Sequence, residues 1–179
     1  VYDFTRGYDP DRERKSTFGV GRYDEKRAGM YETDLFTPAS DSRRDVHIGI
    51  DLAAPVGTPV HAFCEGTILF AAINPASGDY GGTIVTEHRL GDRMIWALHG
   101  HLSHTSVGRA RVGAQFSGGE VLGWLGDKNE NGGWNPHVHF QLSWTKPSKC
   151  DMPGVVAERD RAAALQNYPD PRLVLGPLY

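Results

Sequence analysis

An all-β domain is the fold class this sequence predicts, a compact antiparallel sheet or open barrel-like sandwich, and three observations predict it. Of its 179 residues 39% are apolar, with 22 glycines and 11 prolines, which suits short strands joined by turns better than a helix bundle. From about Arg43 to Trp144, one stretch after another alternates apolar with polar residues, the period of a half-buried strand. Turn residues separate those stretches, as in Pro55-Val56-Gly57-Thr58-Pro59 and Leu90-Gly91-Asp92-Arg93. The length fits one domain with an adequate core, or one domain with a long arm.

Residues 1–42 read as an N-terminal arm, 43–145 as the domain proper and 146–179 as a C-terminal extension with a short helix. Residues 1–45 hold nine basic and ten acidic residues, 19 of the 41 charges in the chain (19 basic plus 22 acidic). Asp11-Arg12-Glu13-Arg14-Lys15 is a solvated mixed-charge run. Phe18, Val20, Tyr23, Met30, Tyr31, Leu35 and Phe36 are apolar enough to pin the arm across the domain, and an arm crossing a groove would regulate access to it. From Asp45, Val46, Ile48, Ile50 and Leu52 alternate with His47, Gly49 and Asp51, a strand with an imidazole and a carboxylate on one face. Strands follow at Val60–Phe70, broken at Glu65-Gly66, and at Thr83–His88, with a loop of turn residues at 74–82 between them. His61 and His88 read as structural histidines. In the strand from Arg93 to Ser103, Ile95, Ala97, His99 and His101 fall on one side. Residues 107–119 alternate weakly, and a strand at Glu120–Leu125 and a polar loop at 127–134 lead into the last strand. There, His137 and His139 face one way while Val138, Phe140 and Leu142 face the core. Val156–Gln166 has helix-forming composition and ends before Pro169-Asp170-Pro171.

A net charge of −3 gives no electrostatic footprint for nucleic acid and no polybasic patch for a membrane surface. No apolar run reaches the length of a membrane-spanning helix, so no membrane insertion is expected. The first thirty residues lack the apolar segment of a signal peptide, and the chain begins at Val1, which fits a removed leader or a piece of a longer polypeptide. Cys64 and Cys150 permit one disulfide at most, and a buried free thiol at Cys64 is the plainer expectation.

Three strands thus present aligned polar faces: His47 with Asp51, His99 with His101, and His137 with His139. A catalytic zinc takes three protein ligands of N and O type and keeps an open position for water. Two histidines and Asp51 meet that requirement. Water on such a zinc reaches a pKa of about 7 and attacks a carbonyl as hydroxide, and a further histidine can take its proton or stabilise the oxyanion.

Here the sequence resembles the lysostaphin-like, or LytM-like, zinc endopeptidases. His47-Ile48-Gly49-Ile50-Asp51 matches that family's His-x-Gly-x-Asp, and Gly57-Thr58-Pro59-Val60 its Gly-Thr-Pro-Val turn. His101-Leu102-Ser103 matches its His-Leu-Ser and His137-Val138-His139 its His-x-His, all in family order over about 100 residues. The resemblance implies the lysostaphin-like (duplicated hybrid motif) fold, Zn2+ as cofactor on His47, Asp51 and His139, and His101 and His137 as the catalytic pair. It implies an endopeptidase attacking peptide bonds, with peptidoglycan stems or glycine-rich cross-bridges as substrate. Many relatives carry tyrosine where this chain has His99, leaving His99 as a substitute polar contact, a competitor for the zinc or a bystander. His99 and Asn135 are the candidate substrate contacts. Phe18-Gly19-Val20-Gly21-Arg22-Tyr23-Asp24-Glu25, Met152-Pro153-Gly154-Val155 and Asn131-Gly132-Gly133-Trp134-Asn135-Pro136-His137 are similar to the peptidase-like middle domain of aminotransferase fusion proteins. That similarity keeps a second reading open, a non-catalytic binding or accessory module with a partner domain or assembly. An extracellular or periplasmic location goes with the first reading, a cytoplasmic or organellar one with the second.

Overall fold

The computed structural model describes residues 1–7, 18–33, 35–36 and 43–179. Their strands are β1 (Gly19–Gly21), β2 (Glu25–Lys26), β3 (Arg44–His47), β4 (Ile50–Ala53), β5 (Pro59–His61), β6 (Gly66–Asn74), β7 (Gly81–Leu90), β8 (Arg93–Leu102), β9 (Gln115–Phe116), β10 (Val121–Trp124), β11 (His137–Ser143) and β12 (Val155–Ala157). Short helices α1 (His104–Arg109), α2 (Arg161–Asn167) and α3 (Arg172–Leu175) accompany them. The architecture is mostly β and antiparallel, as the sequence predicts. The main sheet has the order β1-β4-β11-β8-β7-β6-β9, with two small sheets, β10-β5 and β12-β3-β2.

β11 sits between β4 and β8, so its two faces meet two different cores. Phe140 and Leu142 pack with Ile95 and Ala97 of β8 on one side, and Val138 joins Ile84, Leu102, Leu122 and Leu125. Each such side chain contributes about 1.5–3 kcal/mol on leaving water. On the other face lie His137 and His139, near a cluster of Tyr80, Val85, Leu98 and Met152.

Three expectations change. The strand expected through residues 45–52 divides: β3 ends at His47, β4 begins at Ile50, and the two join different sheets. Gly49 allows that break, because a Cβ there would lie 2.5 Å from the His139 ring and 2.9 Å from the Phe140 carbonyl. The helix expected from Val156 begins as a 3-10 turn at Glu158–Asp160 and becomes α-helical at Arg161. Val155, Val156 and Ala157 instead form a buried strand on β3, since burial against a partner strand outweighs a weak helical propensity. The weakly alternating stretch after residue 107 opens with the end of α1, whose N-cap Ser103 side chain accepts from the Ser106 N–H.

The described part of the arm is built into the domain. β1 pairs with β4, placing Gly21 opposite Asp51, and Glu25, Arg27 and Tyr31 are buried. The Asp11–Lys15 charge run lies outside the described residues. Cys64 and Cys150 are both free thiols, Cys150 being the buried one. Among the described residues no helix is long and apolar enough to cross a membrane.

Candidate metal centre

Sheet register brings the predicted ligand residues together. His139 lies opposite Asp51 of β4 on one side and Gly100 of β8 on the other, while the break at Gly49 turns His47 back toward them. His47 Nε2 is 3.1 Å from Asp51 Oδ1, His139 Nδ1 is 3.1 Å from that same oxygen, and the two nitrogens are 3.0 Å apart. All three residues are buried.

Outer partners fix which ring nitrogens carry hydrogen. His47 Nδ1 is 2.8 Å from the Arg22 carbonyl, and a carbonyl only accepts, so Nδ1 bears the proton. His139 Nε2 is 3.1 Å from Gln141 Oε1, and the Gln141 amide nitrogen is committed to the Pro153 carbonyl, so His139 donates through Nε2. Two lone-pair nitrogens and a carboxylate oxygen therefore converge with no hydrogen between them. Three acceptors at about 3 Å repel one another unless a cation sits among them. The triangle's edge is near the roughly 3.3 Å that three vertices of a tetrahedron require when zinc–ligand distances are about 2.0–2.1 Å. These residues fit a metal ion of the borderline-soft kind that imidazole and carboxylate share.

Electrostatics favour that state. Burial alone would raise the Asp51 carboxyl, but the neighbouring His47 and the Arg27 guanidinium hold it well below the usual carboxylate range. Arg27 Nη1 donates to Asp51 Oδ2 at 2.7 Å. Burial, then the Arg27 charge, pushes the His47 imidazole down to about 4. Asp51 and His47 thus hold at neutral pH the protonation state that a metal would require of them.

A second pair of imidazoles stands beside the first group. His101 Nδ1 donates to the Asn131 carbonyl at 2.8 Å and His137 Nδ1 to the Asn135 carbonyl at 2.6 Å, leaving each Nε2 with a lone pair. Their rings are 4.3 Å apart, and His137 Nε2 lies 3.7 Å from Asp51 Oδ1. Burial, then His137 and His139, keeps His101 neutral by pushing its imidazole well below the ordinary value. Tyr80 wedges against both groups, its ring 5.6 Å from His101 and 5.2 Å from His139, with its hydroxyl donating to the Met152 carbonyl at 2.9 Å.

His99 does not join them, which corrects the expectation that it shares a face with His101. Between Gly82 and Ile84 of β7 the register with β8 slips by one residue, so that Gly82 faces Leu102 while Ile84 faces His99. His101 takes up that slip with φ at +63°, a left-handed conformation costing a non-glycine residue about 1–2 kcal/mol. Its amide donates to Tyr80 O and its carbonyl accepts from Gly126 N, which holds it there. His99 is left opposite Phe140, lining a cavity of about 640 Å³ with Phe63, Leu125 and Val138 on the far side of the sheet. Asn135 reaches the site through its carbonyl on His137. His61 is exposed, while His88 is buried, bonded to Thr86 and the Glu65 carbonyl.

Residues 45–151 match the model of peptidase family M23. The chain belongs to that family. This M23 chain is 38% identical over 96 residues to the DD-carboxypeptidase/endopeptidase Mpg of Neisseria meningitidis serogroup B, covering 54% of the chain and 20% of that protein. It is 33% identical over 97 residues to lysostaphin of Staphylococcus simulans, covering 54% of the chain and 18% of the relative. The chain thus spans about a fifth of the length of the curated relatives it matches. The catalytic domain of the prophage-encoded M23 protein EnpA from Enterococcus faecalis superposes with a TM-score of 0.52 at 27% identity, covering 76% of this chain and 88% of that one. The lysostaphin catalytic domain from S. simulans shares the fold at a TM-score of 0.50 and 21% identity, covering 82% and 95%.

Five residues escaped the sequence reading. Gln141 had a signal, because it follows His137 and His139 on the same strand face. Arg27, Glu25, Asn131 and Tyr80 sit in the arm or in loops, where no period announces direction. Arg27, Met30, Tyr31 and Phe36 of the arm, with Trp134, line the groove of about 280 Å³ that leads to the metal centre.

Proposed function

We propose that this M23 domain is a zinc-dependent endopeptidase that hydrolyses peptide bonds, with peptidoglycan peptides as its substrate. The observation that carries the reading is the convergence of His47 Nε2, Asp51 Oδ1 and His139 Nδ1, three acceptors, with both imidazole protons committed outward. Zinc held there supplies Lewis-acid chemistry, polarising a carbonyl and acidifying water. His101 and His137 give the two proton-transfer positions that amide hydrolysis needs, one Nε2 to take a proton from water and one to deliver a proton to the leaving amine. Their Nδ1–H bonds to backbone carbonyls hold both rings in the tautomer that keeps Nε2 free. The groove's wall of Tyr31, Phe36 and Trp134 gives that pair an apolar flank, and charge interactions are stronger beside apolar surface than in bulk water. The names of the relatives, endopeptidases among them, support peptidoglycan as the substrate class.

The competing reading is a binding or accessory module on the same fold. The complete set of ligands and the adjacent pair of lone-pair imidazoles favour catalysis. Metal analysis of the purified full chain, with hydrolysis assays on purified peptidoglycan and on pentaglycine, separates the two. Stoichiometric zinc with release of peptide fragments is expected. A metal-free protein inert on both substrates overturns the proposal, and a zinc-loaded but inert protein favours the accessory module.

A further inference from the structure

We infer that Arg27 is a positioning residue of the metal centre, fixing the Asp51 carboxylate so that Oδ1 alone faces the ion while Glu25 balances the guanidinium charge. The inference rests on the zinc reading above and adds to it a part for the N-terminal arm.

Arg27 is 1% exposed and Glu25 is 4% exposed. Every side of the guanidinium is held. Nη1 donates to Asp51 Oδ2 at 2.7 Å and to the Tyr31 hydroxyl at 3.0 Å, Nε to Glu25 Oε2 at 3.1 Å, and Nη2 to the Arg22 carbonyl at 3.4 Å. The face of the group lies 4.9 Å from the Phe4 ring. Stability alone gives little reason for such a choice, because a buried ion pair is often no better than apolar residues of the same volume. The backbone also makes room for it. Gly21 lies opposite Asp51 in register, and a Cβ at that position would stand 2.7 Å from Arg27 Nη2 and 2.9 Å from Asp51 Oδ2.

The sign of the effect on a metal follows from the charges. A lone guanidinium beside a ligand carboxylate would repel a divalent cation. Glu25 offsets it, and Glu25 is itself fixed by Arg22 Nη2 at 2.7 Å and the Phe4 N–H at 3.2 Å. With the field largely cancelled, what remains is geometry. Oδ2 is occupied, rotation of the carboxylate is blocked, and Oδ1 is left in the triangle with His47 and His139. Arg22 adds a second contact from the arm through its carbonyl on His47 Nδ1.

Zinc affinity measured by competition with a chromophoric chelator, beside the melting temperature of the zinc-free full chain, tests this. Removing the guanidinium in Arg27→Met is expected to weaken zinc binding by about 10–100-fold, the usual cost of losing an outer partner of a ligand. Arg27→Lys, which keeps the charge and loses the fork, should recover only part of that loss. Glu25→Gln should also weaken zinc, since it leaves the guanidinium uncompensated. An Arg27→Met protein that folds without zinc and binds it as tightly as wild type overturns the inference. If Arg27→Met does not fold, Arg27→Lys and Gly21→Ala carry the test, and unchanged zinc affinity in both overturns it equally. A wild-type chain that binds no zinc would instead remove the proposed function. Wild-type binding with unaltered variants removes only the part assigned to Arg27.

Discussion

On one face of β11, His137 and His139 each commit one ring nitrogen to a fixed acceptor, the Asn135 carbonyl and Gln141, and turn the other toward Asp51. On the opposite face Val138 and Phe140 pack into the core, and the imidazole that joins them, His99, sets Nδ1 3.4 Å from the Ile84 carbonyl and its ring 5.2 Å from that of Phe140. His99 and His139 are 1% and 3% exposed, so burial does not separate a candidate ligand from a spacer. What separates them is what the second ring nitrogen meets. An acceptor behind the ring sets the tautomer and aims a lone pair, and neighbouring lone pairs aimed at one point make a metal site.

The largest effect should come from breaking the polar face at its shared atom. Asp51→Ala removes the oxygen that both ligand histidines approach, and we expect loss of stoichiometric zinc and of turnover, read by metal analysis after dialysis. His137→Ala should leave zinc bound and lower kcat by about 10²–10⁴-fold, the usual worth of a general acid or base. If it loses metal instead, the division between ligands and proton carriers within that face is wrong. On the apolar face, Phe140→Ala should cost about 3–5 kcal/mol of stability in denaturant unfolding, while the protein still folded keeps its zinc affinity. The smallest effect belongs to His99. Burial, then the nearby His88, pushes its imidazole down to about 3, below an unfolded value of about 6.5. Between those values the unfolded chain binds a proton that the native chain does not, so this contribution is whole above pH 6.5 and is lost as pH falls toward 3. His99→Phe should therefore flatten the acid side of the zinc-free melting curve and leave turnover at neutral pH nearly unchanged. A large loss of turnover would return His99 to the site.

Much of the polar face was legible in the sequence, because period-two alternation states which residues share a side. His137 and His139 are two residues apart in one extended strand, whereas His47 comes to Asp51 through the break at Gly49, which alternation does not state. His99 was misplaced for the same reason, since alternation assumes an unbroken pleat and the register slips between it and His101. The arm was illegible for another reason. Glu25 and Arg27 stand among the densest charges in the chain, where a solvated surface is the ordinary outcome, and their burial goes with their pairing to each other and with the pairing of Arg27 to Asp51, 24 residues away. Likewise, the helical composition after Val156 could not reveal that β3 leaves an edge for Val155–Ala157 to cover.

The left-handed turn of the backbone at His101 makes β8 two half-strands out of phase with each other. Upstream of Gly100, odd-numbered positions serve the hydrophobic interior; at His101 an odd-numbered position serves the groove. A substitution scan along this strand should accordingly change character within two residues, from variants that melt early with normal turnover per folded molecule to variants that melt normally and turn over slowly.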